Sequence, residues 1–385
     1  MEKYIPLSVP NLTGNELNYV TQVVQEQWVS TAGSAITDFE RLFAEKIGIN
    51  YACACQSGTA GLHLCLHHYG IGANDIVLVP TLTFIATINA IRYRQAIPVF
   101  FDCDEAMCIN VEQVRTYLKS QCTIKNGLAV ETSSQRHVKA IIPVHIFGDL
   151  CNMDVIMELA DEYNLIVIED ATESLGSTFG CGKNSGTIGH AGVFSFNGNK
   201  IITTGGGGMI VSNSYDAIEH MRYLSQQAKD DKLRFIHNDV GYNYRMTNLQ
   251  AALGLAQLEQ LDSFVIIKRR NYAMYQHLLS ENKVGRLHTF RSEGSNKWFY
   301  SFILNQSDDI FRDELIAELE AKKIQTRPIW MLNHLQKPFR HFPAQDCQQA
   351  MKLYKSVVNI PCSTNLTPED ISRVCHELNI LNRGA

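Results

Sequence analysis

Short apolar runs alternate with stretches of helical pattern between residues 50 and 215. The apolar runs cover residues 76–79, 98–101, 140–144, 165–168, 193–196 and 209–211. The segments of helical pattern between them include residues 58–69, 84–93 and 153–163. Runs that are apolar throughout, instead of alternating with polar residues, are typical of strands buried on both faces. The pattern therefore predicts an α/β fold with a mostly parallel central sheet and helices on both faces.

The remaining chain predicts a hairpin and a long helix. Asn126-Gly127 lies in a polar stretch before the strand at 140–144, which predicts a hairpin or an excursion from the sheet. A long helix is predicted from Asn248 to about residue 279. Its basic triplet, residues 268–270, is interpreted as a solvated face.

A chain of 385 residues is too long for one ordinary small core, so we expect two domains. The first is a large domain over residues 1–247, including an N-terminal arm. The second part, residues 248–385, is expected to contain the long linking helix and a small C-terminal α/β domain.

Composition and charge exclude several classes of protein. Hydrophobic residues make up 45% of the chain and charged residues 19%, which is ordinary for a globular protein. The net charge of −5 leaves no basic excess for a nucleic acid. We find no secretory signal, no apolar run long enough to span a membrane, and no zinc-site spacing among the eleven cysteines. We therefore expect a cytoplasmic protein with free thiols that binds no metal, membrane or nucleic acid.

The first candidate for chemistry is the triplet Ser57-Gly58-Thr59, which opens an apolar helix. Hydroxyls and free backbone N–H groups at the positive end of a helix can bind a phosphate. The same triplet is equally well explained as a simple helix cap. Both interpretations stay open from these residues alone.

The second and third candidates are an acidic segment and a lysine loop. Asp170 and Glu173 follow the strand at 165–168, and ligands of open parallel sheets bind beyond the carboxyl ends of strands. Lys200 lies in a short loop between two apolar strands, ahead of four glycines at 205–208 that permit close backbone approach. Taken singly, Asp170 could be a helix cap and Lys200 an exposed loop lysine.

The order of phosphate site, strand-end aspartate and loop lysine is the order of parts that pyridoxal phosphate (PLP) needs. Other glycine-rich and nucleophile motifs fail on their spacing. Gly182-Lys183 lacks the remaining residues of a P-loop, no Gly-x-Gly-x-x-Gly opens the first helix, and no Gly-x-Ser-x-Gly elbow occurs.

At these residues the chain resembles the DegT/DnrJ/StrS family of PLP-dependent nucleotide-sugar aminotransferases over nearly its whole length. The resemblance implies an aspartate-aminotransferase-like fold of type I. It implies Lys200 as the Schiff-base lysine, Asp170 as the partner of the pyridine nitrogen and Phe84 as the ring that stacks on PLP. It implies phosphate contacts from Ser57, Gly58, Thr59, Ser195 and, entering the neighbouring subunit's site of a homodimer, Asn243. It implies substrate contacts from Arg327, Trp330 and His334.

The sequence departs from the family pattern at two places. Glu173 occupies a cofactor-contacting position where many members carry glutamine. Four glycines at 205–208 replace the usual Gly-Glu-Gly-Gly. With the segment around Lys200, this variant resembles the subgroup that aminates UDP-linked sugars for bacillosamine or legionaminic acid.

The resemblance therefore implies amination of a UDP-linked 4-keto-6-deoxy-N-acetyl hexosamine, with L-glutamate as donor, for bacterial surface sugars. The alternative acceptor is another keto sugar, linked to dTDP or GDP. Two further alternatives are a PLP-dependent sugar dehydratase, against which Lys200 argues, and a non-catalytic PLP-binding protein.

Overall fold

The computed structural model of the chain describes residues 3–231 and 233–380. Its strands are β1 (Tyr51–Cys55), β2 (Ile76–Pro80), β3 (Ile97–Phe101), β4 (Cys122–Lys125), β5 (Leu128–Glu131), β6 (His137–Ile141), β7 (Ile166–Asp170), β8 (Ala191–Ser195), β9 (Gly208–Ser212), β10 (Lys229–Asp231), β11 (Ile236–His237), β12 (Gly285–Leu287), β13 (Tyr300–Leu304), β14 (Arg327–Pro328) and β15 (Val357–Ile360). Its α-helices are α1 (Glu16–Gln25), α2 (Ser34–Ile47), α3 (Gly58–His68), α4 (Ile85–Tyr93), α5 (Val111–Gln121), α6 (Met153–Tyr163), α7 (Tyr215–Ser225), α8 (Asn248–Leu278), α9 (Asp309–Ala321), α10 (Gln348–Ser356) and α11 (Pro368–Ile380). Short 3₁₀ turns occur at Ile146–Gly148 and Asn333–Leu335.

The central sheet has the strand order β1-β9-β8-β7-β6-β2-β3, and the β4–β5 hairpin joins it at β6. Strands β3, β2, β6, β7 and β8 pair in parallel, whereas β9 runs antiparallel to both of its neighbours. Every residue of β2 and β9 is buried, which explains why these runs are apolar throughout. The carboxyl ends of β1, β2, β7 and β8 and the start of β9 therefore share one edge of the sheet.

The predicted mostly parallel sheet is confirmed, and the strand and helix predictions need only local corrections. Strand β6 begins three residues earlier than predicted, at His137, and ends at Ile141. Strand β7 extends through Asp170, so this carboxylate ends the strand instead of following it. The pattern missed β1, because the sequence Tyr-Ala-Cys-Ala-Cys carries few large apolar side chains.

A second sheet, with the order β12-β13-β15-β14, is formed by the chain beyond α8. The N-terminal residues also contact this part of the chain. Ile5 forms a parallel bridge with Ile324, and the N–H of Cys362 donates to the carbonyl of Leu7 (2.8 Å). The two sheets are therefore joined by α8 and by the N-terminal arm.

The prediction of a solvated basic triplet on α8 was wrong for Lys268. Its side chain is buried, and its Nζ donates to the carbonyls of Trp298 and Cys362, both at 2.5 Å. A long side chain on α8 thus connects two segments of the C-terminal part.

No helix in the described part of the chain combines the length and apolarity that a bilayer crossing requires.

Buried Arg245 anchors the segment that precedes α8. Its Nη1 donates to the carboxylate of Glu40 and to the carbonyl of Ala54 (3.2 Å). Glu40 also accepts a hydrogen bond from Nη1 of Arg222 (2.6 Å). This network fixes the backbone beside β1, while Asn243, two residues before Arg245, stays exposed.

We expect Arg245→Met to lower the free energy of unfolding by about 3 kcal/mol, because it leaves the buried Glu40 carboxylate with one cation instead of two. The matched control is Arg41→Met, whose ion pair with Glu45 is exposed and contributes about 0.5 kcal/mol or less. Chemical denaturation followed by far-UV circular dichroism measures both changes. Equal unfolding midpoints for the two variants would contradict the anchoring role of Arg245.

Candidate active site

A cavity of about 340 Å³ opens at the edge of the central sheet where the ends of β1, β2, β7 and β8 meet. Its walls come from these strand ends, the loop after β8, and two segments near β13 and β14. The lining residues are Ser57, Gly58, Thr59, Leu62, Thr83, Phe84, Ala86, Thr87, Asp170, Thr172, Glu173, Ser195, Asn197, Asn199, Lys200, Gly206, Gly207, Trp298, Phe299 and Trp330. The structure thus brings together most of the side chains that the sequence selected from separate segments.

Asp170 is a buried carboxylate whose hydrogen bonds come only from neutral groups. It is 2% exposed, and its Oδ2 accepts a hydrogen bond from the hydroxyl of Thr87 (2.7 Å). Its Oδ1 accepts one from the N–H of Thr172 (3.2 Å). Within residues 3–231 and 233–380 it forms no ion pair. A buried carboxylate in this state favours a cationic group of a ligand beside it.

The structure of the first residues of α3 bears on both interpretations of the Ser57-Gly58-Thr59 triplet, the helix cap and the phosphate site. The Ser57 hydroxyl accepts a hydrogen bond from the N–H of Ala60 (3.1 Å), so it caps the helix. Gly58 and Thr59 begin the helix inside the cavity, where their N–H groups are in the position of phosphate donors. The cap is therefore confirmed, and phosphate binding by this triplet stays a prediction.

Gly208 explains part of the unusual glycine run. A Cβ at Gly208 would lie 2.6 Å from the carbonyl carbon of Ser57, so only glycine allows β9 to approach this turn. Gly205 has a φ of 77°, in the left-handed region that glycine adopts without strain. These glycines keep the Lys200 loop close to the start of α3.

Lys200 and Glu173 form a close pair at the cavity. The Nζ of Lys200 lies 3.7 Å from Oε1 of Glu173, whose other oxygen accepts the N–H of Phe147 (2.8 Å). Burial raises the pKa of Glu173 to about 7, although the Lys200 charge opposes this shift. Burial lowers the pKa of Lys200, and the charges of Glu173 and Asp170 oppose that shift. The Glu173 carboxyl can therefore exchange protons near neutral pH, and the Lys200 amine loses its proton more readily than an exposed lysine does.

An aromatic wall, formed by Phe84, Trp298, Phe299 and Trp330, closes the cavity. The ring centroids of Phe84 and Trp330 are 5.8 Å apart, and those of Trp298 and Phe299 are 4.0 Å apart in a stacked pair. Trp298 and Phe299 were missed in the sequence, as was Thr87. Two consecutive aromatic residues directly before β13 are a weak sequence signal for a ligand-binding wall, whereas nothing in the sequence indicates that Thr87 contacts Asp170.

Three of the predicted site residues do not line this cavity. Asn243 is exposed on the surface. Arg327 is exposed on β14, where its guanidinium donates to the carbonyl of Thr326 (3.0 Å). The imidazole Nδ1 of His334 lies 2.6 Å from the hydroxyl of Thr81, three residues before Phe84. Contacts of these residues with a substrate, or with a neighbouring subunit's cofactor, stay predictions.

The groups of the cavity fit PLP. Asp170 offers an unpaired carboxylate for a protonated ring nitrogen, and the α3 start offers N–H groups for the phosphate. Lys200 offers an amine whose pKa is lowered, as a nucleophilic lysine requires. Phe84, half exposed at the cavity, offers a ring face.

Comparisons with known proteins find relatives that match nearly the whole chain. The DegT/DnrJ/EryC1/StrS aminotransferase family matches the chain over residues 10–379. GDP-perosamine synthase of Caulobacter vibrioides is 39% identical over 377 residues, covering 97% of both chains. GDP-perosamine synthase of Escherichia coli O157:H7 is 37% identical over 378 residues, covering 98% of both. The crystal structure of DesI, in the presence of its TDP-sugar product, matches with a TM-score of 0.88 and 26% identity, covering 100% of this chain and 94% of that one.

We expect Asp170→Asn to bind PLP and to lose catalytic turnover by roughly 10- to 100-fold, because a charge-assisted hydrogen bond contributes about 1.5–3 kcal/mol. The control is Asp154→Asn on the exposed face of α6, which should keep full turnover. Steady-state kinetics and the cofactor's visible absorbance measure the two effects separately. Near-normal turnover of Asp170→Asn would remove this carboxylate from the reaction.

Proposed function

The chain belongs to the DegT/DnrJ/EryC1/StrS aminotransferase family, and we propose that it aminates carbon 4 of a GDP-linked 4-keto-6-deoxy sugar with L-glutamate as donor. The fold and the dependence on PLP, both expected from the sequence, are confirmed by the full-length match to this family and its structures. The general activity, amino transfer to a nucleotide-linked sugar, follows from the same match.

The choice of GDP is carried by one observation. Two relatives named GDP-perosamine synthases match nearly the whole chain at 39% and 37% identity. They support the alternative acceptor of the sequence interpretation better than the UDP-linked sugar that was its first choice. They likewise give no support to the bacillosamine or legionaminic-acid subgroup. The TDP-sugar product of DesI, at 26% identity, makes a dTDP-linked sugar the second candidate.

Each group of cavity residues has a separate role in the proposed reaction. PLP, when bound, supplies an electron sink that stabilises negative charge beside the amine of the donor. We assign to Asp170 the task of keeping the pyridine nitrogen protonated, and to the start of α3 with Ser195 the task of binding the phosphate. Lys200 binds the cofactor through Nζ and moves protons with the same atom.

The charge of the cavity supports a homodimer with shared sites. Among its lining residues Lys200 is the only basic side chain, although the glutamate carboxylates and the sugar diphosphate both need cationic or N–H partners.

Close to Asn243, the β10–β11 hairpin and the residues after it expose large apolar side chains: Leu233 (81%), Phe235 (68%) and Val240 (75%). Apolar residues exposed together mark an interaction surface. We infer that this segment packs on a second copy and brings Asn243 to the partner's site.

Subunit complementation tests the shared site. Asn243→Ala and Lys200→Ala chains should each be inactive as homodimers, because every site then lacks one group. Hybrid dimers should regain part of the activity, since one of their two sites carries neither substitution. Activity is measured after the two chains are mixed and exchange is verified by mass spectrometry of differently tagged subunits. No recovery in verified hybrids would remove Asn243 from the partner's site.

Substrate competition tests the acceptor. GDP-, dTDP- and UDP-linked 4-keto-6-deoxy sugars are supplied together with L-glutamate, and the products are measured by mass spectrometry. We expect the GDP-linked amino sugar to form fastest, by at least about tenfold in kcat/KM, which corresponds to about 1.4 kcal/mol of transition-state binding. Preference for the UDP-linked or dTDP-linked sugar would contradict the acceptor while leaving the amino transfer intact.

A further inference from the structure

Trp298 contacts both the side chain and the backbone of the Lys200 loop. The Nζ of Lys200 lies 4.0 Å from the centroid of the Trp298 ring. The indole Nε1–H of Trp298 donates to the carbonyl of Asn199 (2.8 Å), the residue directly before Lys200. A cation at this distance from an indole face is attracted by the ring quadrupole, and tryptophan is the strongest such partner.

The Trp298 ring is held in place independently of Lys200. It is 2% exposed and stacks on Phe299 with an interplanar angle of 14°. Its backbone N–H donates to the carbonyl of Phe147 (3.1 Å) and to Oδ1 of Asn296 (2.9 Å). Its carbonyl accepts the Nζ of Lys268 (2.5 Å). The indole face is therefore preorganised, and it does not have to move when the amine of Lys200 arrives.

The carboxylate of Glu173 is a second contact of the same amine, at 3.7 Å. The charged groups that act on Lys200 are Glu173 and Asp170, and both favour its protonated form. Burial acts in the opposite direction and favours the neutral amine. An aromatic face favours the protonated amine, as Glu173 and Asp170 do, and it adds no charge to the cavity.

We propose that Trp298 is a positioning residue that, together with Glu173, stabilises the Lys200 amine after it has taken up a proton and keeps it at the cavity. The inference rests on the proposed role of Lys200 as the amine that binds the cofactor and moves protons. It assigns to Trp298 a function that neither its burial nor its packing requires. A protonated amine stabilised in one place can return its proton without diffusing through several side-chain rotamers.

The test measures the protonation of Lys200 directly, in the full-length protein from which PLP has been removed. Lysines are acetylated with trace acetic anhydride across a pH series, and mass spectrometry follows the peptide that contains Lys200. We expect Trp298→Leu to move the midpoint of Lys200 labelling to lower pH by about one unit. Trp298→Phe, which keeps a weaker ring and loses the indole N–H, should give a smaller shift. Trp330→Phe, at the same cavity, is the matched control and should give none.

A second measurement keeps the shape of the ring and changes only its electrons. Fluorinated tryptophans, incorporated in place of the natural residue, weaken the attraction of the ring face for a cation. In the Trp330→Phe chain, the midpoint for Lys200 should fall stepwise as fluorines are added. An unchanged midpoint in the fluorinated protein overturns the proposal, even if Trp298→Leu shifts it, because packing alone would then account for the leucine variant.

Failure of this inference can be distinguished from failure of the proposed function. Borohydride reduction of the holoenzyme followed by peptide mapping identifies the lysine that carries PLP. Trapping on another lysine, such as Lys183 or Lys297, overturns the assigned role of Lys200 and with it the inference. Trapping on Lys200 with an unshifted midpoint overturns only the role of Trp298.

Discussion

An ionised carboxylate that leaves water is destabilised by several kcal/mol unless donors or a cation face it, and two neighbouring residues of β7 meet this constraint differently. Glu169 accepts hydrogen bonds from the N–H groups of Gly186, Ile188 and Gly189, and it contacts the imidazole of His145 (2.9 Å). Asp170 points to the other face of the strand and has only a hydroxyl and one N–H. The protein thus surrounds the Glu169 carboxylate with donors and leaves the Asp170 carboxylate with two neutral donors beside the cavity.

This difference follows from the alternation of a strand. Because successive side chains point to opposite faces, one acidic residue of the pair fixes the loop before β8 and the other faces the cavity. A slip of β7 by one residue would exchange their surroundings. The chemistry of the site therefore depends on the register of a buried parallel strand.

The sequence predicted the elements of the central sheet well, since buried parallel strands are apolar along their whole length. The helix α6 was predicted with its observed bounds, and α8 ends one residue earlier than expected. Local patterns also selected Ser57 at a helix start, Asp170 at a strand end and Lys200 in the loop between β8 and β9. The antiparallel direction of β9 was missed, because the apolar run at 209–211 carries no information about the direction of its strand.

Contacts between distant segments were not predictable in the same way. Nothing local to Trp298 indicates Lys200 as its neighbour, and nothing local to Lys268 indicates that its charge is buried against two carbonyls. Such contacts depend on how the second sheet packs against the first. The aromatic wall is accordingly the part of the site that could be predicted least from the sequence.

The bridging N-terminal arm has a consequence for the order in which a newly made chain can mature. Ser8 and Trp298 both donate to the carbonyl of Asn199, so the lysine loop is bound by the N-terminal arm and by the segment directly before β13. A ribosome releases Asp170 and Lys200 long before Trp298 and Trp330. Domains fold largely in the order of their synthesis. The complete cavity wall can therefore form only after the segments that carry Trp298 and Trp330 have been synthesised, and a shorter nascent chain leaves the groups at the strand ends uncovered.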